Sequence, residues 1–314
     1  MKIKRIAIGM CVLLSVITLN GCGSKDTVLK LGVKEGDRYT LQRVDNSKFT
    51  INMLNKDMSV EDKENYDMSI NVRNVDNDGN VILNYKYKRI NMEYNTYSGN
   101  IAYNSEKKDS NNPLNTIYDN IMKQDCTITL NKNGKVLYMH GVDGMINNLV
   151  QKAKLDDNTR EITRTCLNEN FSDDSVKKYI EDTMNYTNGN KIKQGDKWTK
   201  KSSLKKSVDM NIISKYTFNS EKDGLINLSE KDTISSGEKA KKIYLNDLKA
   251  EVDLKGNGNG KLSIDKKTGL IHNTQIKYDI SGFITFLEDS NAGILQDIKA
   301  PVNFTEDVNY KITK

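Results

Sequence analysis

Met68-Ser69-Ile70-Asn71-Val72-Arg73-Asn74-Val75-Asp76-Asn77-Asp78-Gly79-Asn80-Val81-Ile82-Leu83-Asn84-Tyr85-Lys86-Tyr87 is the stretch that decides the fold. Met68, Ile70 and Val72 alternate with polar residues, and Val81, Leu83, Tyr85 and Tyr87 alternate back. Period-two alternation places every apolar side chain on one face of a strand. Asp78-Gly79 between two such runs is turn chemistry. The stretch therefore predicts an antiparallel hairpin with one face made for burial.

The same signal recurs outward from it. Ile128 and Leu130 lead through Asn133-Gly134 to Val136 and Tyr138. Tyr216 and Phe218 lead through Asp223-Gly224 to Ile226 and Leu228, and Leu262 and Ile264 lead to Thr268-Gly269. The longest alternation is Ile276, Tyr278, Ile280, Gly282, Ile284, Phe286. Four segments switch to helical spacing. Asn112-Pro113 opens the first, with Leu114, Ile117, Ile121 and Met122. Asp143 is placed to cap a second carrying Met145, Ile146, Leu149 and Ala153, and Asp156 or Asp157 a third carrying Ile162, Cys166 and Leu167. Asp173 and Asp174 suit the start of a fourth with Val176, Tyr179, Ile180 and Met184.

Order also repeats. Gly36-Asp37-Arg38-Tyr39 recurs as Gly195-Asp196-Lys197-Trp198, and each copy precedes an Asp-Gly turn and then an x-Gly turn, Lys132-Asn133-Gly134 and Lys267-Thr268-Gly269. These patterns predict a β-rich α+β protein: a curved, half-barrel-like antiparallel sheet, internally duplicated, with helices packed on its apolar face. A single domain is expected over 35–314, with repeats 35–187 and 188–314.

The N-terminus reads as an address. Lys2, Lys4 and Arg5 precede an uncharged, mostly apolar run from Ile6 to Leu19, too short to span a bilayer comfortably and suited to a signal peptide. Leu19-Asn20-Gly21-Cys22 resembles the lipobox of bacterial lipoproteins, with Asn20 departing from the residue more usual there. The resemblance implies a signal peptide over 1–21, cleavage between Gly21 and Cys22, diacylglyceride on Cys22, and a lipidated tether over 22–34. Two acyl chains suffice for stable anchoring. The expected location is then the extracytoplasmic face of the cell membrane, with Cys22 as the link to it.

Removing 1–21 also removes three cations, and the +6 balance falls to +3, too weak for a nucleic-acid partner. Two further cysteines, Cys126 and Cys166, are a candidate disulfide in an oxidising compartment. The bridge would close a loop of about 40 residues and stabilise by roughly 4 kcal/mol. Two buried free thiols are the alternative.

The order of motifs resembles a family of uncharacterised Gram-positive surface lipoproteins that share a domain of unknown function. Gly36-Asp37-x-Tyr39, Asp78-Gly79, Thr129-Leu130-Asn131-Lys132-Asn133-Gly134-Lys135-Val136 with Gly141, Gly195-Asp196-x-Trp198 and Ile264-Asp265-Lys266-Lys267-Thr268-Gly269-Leu270 carry the resemblance. It speaks to fold and is silent about chemistry. A curved sheet with helices in its mouth is also similar, by analogy alone, to the half-barrel of periplasmic lipoprotein carriers.

Motifs that could carry chemistry have structural explanations. Asn74-x-Asp76-x-Asp78-Gly79 opens like a calcium loop, but Tyr85 stands where the bidentate Glu is needed. Gly256-x-Gly258-x-Gly260 lacks the helix that a phosphate cradle requires, and suits a bending strand or a close backbone approach. His140 and His272 have no partner at ligand spacing, so no metal or cofactor is expected. The pairs Asp156-Asp157 and Asp173-Asp174 are explained by helix starts. Lys200, Lys201, Lys205 and Lys206, and Lys239, Lys241 and Lys242, form basic runs that either face anionic envelope polymers or lipid head groups, or are simply solvated.

No enzyme is expected. The leading expectation is a surface lipoprotein that binds an apolar or amphiphilic ligand in the concavity of the sheet. Its cavity-lining candidates are Leu114, Ile117, Ile121, Met145, Ile146, Leu149, Val176, Ile180 and Met184. The alternative is a scaffold module with a packed core that docks on wall polymer or another envelope protein. Cavity volume separates the two.

Overall fold

The computed structural model describes residues 26–107, 109–186, 189–205, 208–237, 243–245, 248–290 and 294–314. In chain order the elements are β1 (Thr27–Val28), β2 (Arg38–Met53), β3 (Lys56–Val75), β4 (Val81–Thr96), β5 (Gly99–Asn104), α1 (Leu114–Lys123), β6 (Cys126–Leu130), β7 (Val136–His140), α2 (Asp143–Lys152), α3 (Asp157–Phe171), α4 (Asp173–Met184), β8 (Lys191–Ile192), β9 (Lys197–Lys205), β10 (Asp209–Lys222), β11 (Leu225–Ser236), β12 (Ile243–Leu245), β13 (Leu248–Asp265), β14 (Ile271–Phe286) and β15 (Ile298–Thr313).

The β-rich α+β class holds. One antiparallel sheet runs β7-β6-β4-β3-β2-β15-β14-β13-β11-β10-β9, with β5 added on β4 and β12 on β13. Each predicted hairpin turn joins sheet neighbours: Asp78-Gly79 links β3 to β4, Asn133-Gly134 β6 to β7, Asp223-Gly224 β10 to β11, and Thr268-Gly269 β13 to β14. The last strand, β15, inserts between β14 and β2 and so joins the two halves of the chain. The sheet is curved, because residues of β2 and β3 line the same cavity as residues of β10 and β11 from the far side.

The two Gly-Asp turns are built alike. Lys34 N donates to Asp37 Oδ2 at 2.9 Å, and Lys193 N to Asp196 Oδ2 at 2.9 Å. Gly36 N donates to Val72 O and Val72 N to Asp37 O; Gly195 N donates to Phe218 O and Phe218 N to Asp196 O. The strands leading into these turns, β1 and β8, pair with each other. The expected tether is therefore not slack along its described part. Thr27 pairs with Ile192, and Leu29 and Val33 are buried. Gly269, at φ +66°, lies so close to this segment that a Cβ there would sit 2.1 Å from Lys30 O.

All four helices form where helical spacing was read, and they pack on the β2–β7 half. Leu114, Ile117, Tyr118 and Ile121 of α1, Cys166, Leu167 and Phe171 of α3, and Val176 and Ile180 of α4 join one core with the concave faces of β2, β3 and β4. Phe171 holds ring contacts with Tyr66, Tyr87 and Tyr118 at centroid separations of 5.2, 5.2 and 5.8 Å. Asp156 caps α3, accepting from Thr159 N at 2.9 Å. Asp143 does not cap α2: the cap position is Val142, and Asp143 lies in the first turn, where its charge suits the helix dipole.

Candidate functional site

The concave face changes character along the strands. Residues opposite one another on neighbouring strands share a face. One such row runs Asp62 (β3), Ser47 (β2), Glu306 (β15), Tyr278 (β14), Gly258 (β13), Asp232 (β11) and Ser214 (β10). The row beside it, on the side of the helical core, adds Glu64, Asp45 and Glu230. The row on the other side is Val60, Phe49, Phe304, Ile280, Gly256, Ile234 and Ile212. A polar belt thus crosses the sheet, with an apolar field starting two residues further along each strand. In that field a second buried cluster, including Ile51, Met210, Leu254, Ile284 and Val302, draws on no described helix residue.

A cavity of about 410 Å³ lies over this boundary. Its apolar walls include Phe49, Ile51, Met210, Ile212, Leu254, Ile284, Val302 and Phe304. Its polar end is formed by Arg43, Asp45, Asp62 and Glu306 from the sheet, by Glu169 and Asn170 of α3, and by Ser175, Lys178, Tyr179 and Asp182 of α4. Helix α4 is two-faced at helical spacing: Val176 and Ile180 go into the core, while Ser175, Lys178 and Asp182 look onto the belt.

β13 makes room for the belt. Its concave row reads Val252, Leu254, Gly256, Gly258, Gly260, Leu262. A Cβ at Gly258 would lie 2.6 Å from Asp232 Oδ2 and 2.7 Å from the Tyr278 ring, and one at Gly260 would lie 3.0 Å from Glu230 Oε2. The glycines are neither a phosphate cradle nor a chance run. They leave the space that larger neighbours on β11 and β14 occupy.

The belt is electrostatically loaded. Arg43, only 2% exposed, pairs with both Asp45 and Glu64, and its Cζ lies 4.1 Å from the Tyr179 ring centroid. Burial opposes its charge, and Tyr179, Asp45 and Glu64 outweigh that effect. Lys178 Nζ pairs with Asp182 along α4, at 2.7 and 2.5 Å to its two oxygens. Asp62, Glu230 and Asp45 are pushed toward the protonated form. Burial raises Asp62 to about 8, helped by Glu64, while Asn170 and Arg43 pull the other way. Burial and the neighbouring Asp232 raise Glu230 to about 8. Burial lifts Asp45 well above the usual carboxylate range despite Arg43, with Glu306 and Glu64 adding to it. Among the described residues no group of three or more His, Cys, Asp or Glu side chains is arranged to hold a metal ion.

The sequence-predicted lining is displaced. None of Leu114, Ile117, Ile121, Met145, Ile146, Leu149, Val176, Ile180 and Met184 lines this cavity. Leu114, Ile117, Ile121, Ile146, Val176, Ile180 and Met184 are buried in the helical core, and Met145 and Leu149 pack against it. The helices fill the concavity they cover, and the open volume lies beside them, with α3 and α4 at its polar end and strands around its apolar walls. The belt residues were missed because charge within a strand reads as its solvent face. The signal was their phase: Arg43, Asp45, Glu230 and Asp232 fall on the same parity as Leu41, Phe49, Leu228 and Ile234.

The candidate disulfide is absent. Cys126 and Cys166 are free and buried with separate neighbours. Cys126 stands opposite Tyr85 on β4, while Cys166 Sγ lies 3.8 Å from Met92 Sδ and 3.7 Å from Asn170 Nδ2. The Asp76 carboxylate accepts from Asp78 N, Asn80 N and Asn80 Nδ2 within the turn. The first basic run is not one patch. Lys200 donates to Asn185 O at 2.5 Å and is lowered to about 8 by burial, while Lys201 is exposed. Gly21, Cys22, Lys206, Lys239, Lys241 and Lys242 lie outside the described residues. No described helix is long and apolar enough to cross a membrane.

A family described as "Family of unknown function (DUF6263)" matches residues 78–271, more than half of the chain. No curated protein sequence matches the chain. Among solved structures, one of lipovitellin, described for its lipid–protein interactions, is similar over 90% of this chain at 7% identity and TM-score 0.42; this chain spans 25% of that one. The COG4313 outer membrane channel of Pseudomonas putida F1 is similar over 90% of this chain and 97% of its own, at 6% identity and TM-score 0.25. A DUF1329 family protein of Desulfovibrio piger gives 9% identity and TM-score 0.12 over 85% of this chain and 83% of its own. None of these three likenesses bears on function.

Proposed function

The chain belongs to that family of unknown function, and we propose that it is a non-enzymatic binding protein that holds an amphiphilic molecule in the concave face of its sheet. We also propose that Cys22 carries the lipid that tethers it to the extracytoplasmic face of the cell membrane. One observation carries the binding reading: a cavity of about 410 Å³ with apolar walls and one polar end. Ligand sites are concave and mostly apolar, with a few convergent polar groups, and span about 300–1,000 Å³. A core filled throughout, as a scaffold module would have, does not leave such a volume. Apolar surface left in a cavity forgoes contacts that packing would supply, and a chain-bearing guest restores them.

The test is native mass spectrometry of the protein after exposure to a mixed lipid extract. Retained mass that is lost on Phe304→Glu is the expected result. No retained mass under any condition overturns the binding reading. Anchoring is tested separately by metabolic labelling with a fatty acid. Label lost in Cys22→Ala supports the lipid on that residue, and label that persists overturns it.

A further inference from the structure

The polar end of the cavity has a sign. Five acids line it, Asp45, Asp62, Glu169, Asp182 and Glu306, against two cations. Both cations are already engaged, Arg43 by Asp45 and Glu64, and Lys178 by Asp182. Glu230 and Asp232 stand behind them in the belt, both buried. Asp45 lines the cavity at 5% exposure, with the Glu306 carboxyl beside it and no described N–H or hydroxyl donating to its Oδ1. The Oδ1 of Asp62 likewise has no donor among the described residues, while its Oδ2 accepts from Asn170. Acceptor capacity without donors, inside a low-dielectric pocket, asks for a guest that brings donors and positive charge.

We propose that the guest is a cationic amphiphile, with its chain against Phe49, Ile51, Ile284 and Phe304 and an ammonium head against Asp45, Asp62 and Glu306. This deepens the binding reading above and rests on it. A carboxylate or phosphate head at the same end would find both cations, Arg43 and Lys178, already committed, and would add charge of the same sign as any acid there that ionises. The pocket that discriminates by charge would reject an anionic analogue of the same chain.

Protons complete the account. Asp62 is faced by Glu64 on its own strand, Arg43 on β2, and Glu169 and Asn170 on α3. Asp45 is faced by Arg43, Glu64 and Glu306. The empty site therefore keeps protons on acids that would otherwise repel one another. An arriving ammonium group takes the place of such a proton, which leaves to the buffer, while the head keeps its own. Binding then tightens as pH rises toward 8.

Calorimetry on the full chain held in amphipol, with octylammonium, octanol and octanoate, tests this. At pH 7 octylammonium is expected to bind roughly tenfold or more tighter than octanoate, since opposite charge is attracted to an acidic site and like charge is suppressed there. Titrations in two buffers of different ionisation enthalpy should show proton release with octylammonium and none with octanol. Asp45→Asn with Asp62→Asn should weaken octylammonium and spare octanol. The wild-type buffer comparison needs no variant, so a misfolded double variant leaves the test intact. Octanoate binding as tightly as octylammonium overturns the charge assignment, and so does octylammonium binding without proton release. Equal binding of all three probes leaves the cavity reading standing and removes the head-group inference. Binding of none removes both.

Discussion

Arg43→Met should be among the most damaging single substitutions in this protein. The side chain is buried on β2, pairs with Asp45 on its own strand and Glu64 on β3, and stacks under Tyr179 of α4. Methionine fills much of the volume, so the loss is mainly electrostatic. Removing one partner of a buried ion pair leaves the other charge uncompensated and costs about 3–5 kcal/mol. Here two carboxylates are left, and the cation–π contact goes with them. That places the expected loss at the upper end of the range. Urea melts at pH 8 and pH 5.5 measure it. With Arg43 gone, the folded-state pKa of Asp45 moves further above its unfolded value. The folded variant then holds a proton that the unfolded chain gives up, and its stability falls as pH rises between those two values. The deficit against wild type must therefore be larger at pH 8 than at pH 5.5. Adding Asp45→Asn and Glu64→Gln to Arg43→Met removes the stranded charges and should recover most of the loss. A deficit under about 1 kcal/mol at pH 8, or one that grows as pH falls, would refute the reasoning.

Glu230 and Asp62 have folded-state values of about 8, far above the ordinary carboxylate, so each withdraws stability as pH rises from the unfolded value to about 8. Glu230→Gln and Asp62→Asn should each raise the melting temperature at pH 8 and leave it nearly unchanged at pH 4; a drop at pH 8 would contradict this. Ile180→Ala, in the filled helical core, should cost about 2–5 kcal/mol, whereas Ile284→Ala, on the cavity wall, should cost less than that range and enlarge the site. Chemical denaturation of the two variants decides, and equal losses would mean that the cavity wall is packed like the core. Cys126 and Cys166 should resist alkylation in the native protein and react fully in denaturant without reductant, and a joined peptide in unreduced mass mapping would be the contrary result.

The sequence exposed some strands and hid others for one physical reason. β4, β6, β11 and β14 carry clean apolar alternation beside Asp-Gly, Asn-Gly or Thr-Gly turns, and their pairing followed. The first half of β2 and β3 from Glu64 onward alternate in burial, yet their buried positions include Arg43, Asp45 and Glu64, and Glu306 holds an inner row on β15. Charges on the inner parity erase the hydrophobic period that sequence reading depends on. The helices were legible because α1 to α4 bury aliphatic and aromatic stripes against other apolar groups. Their partner surface was not legible, since nothing in one stripe tells whether it meets a filled core or a void. The cysteine pairing failed similarly, for loop length sets the entropy of a bridge but not whether two side chains face each other.

The belt, the glycines of β13 and the register of the sheet specify one another. A one-residue slip of a strand turns its whole inner set outward. A two-residue slip would keep the parity but move Glu306 or Asp232 out of line with Gly258 and place an apolar residue against the acids. Gly258 itself admits no larger side chain while Asp232 and Tyr278 flank it. Seven strands are thus locked to one another along a polar line, and α4 lies across it with Lys178 and Asp182. Apolar residues on that line would hold the sheet at lower desolvation cost, as the adjacent row of Phe49, Phe304, Ile280 and Ile234 does two residues further along each strand. Acids that each keep one oxygen without a donor at the end of an apolar cavity are poorly explained by stability alone. They are explained by a guest whose head supplies the missing charge, and whose chain occupies the volume that the helices leave open.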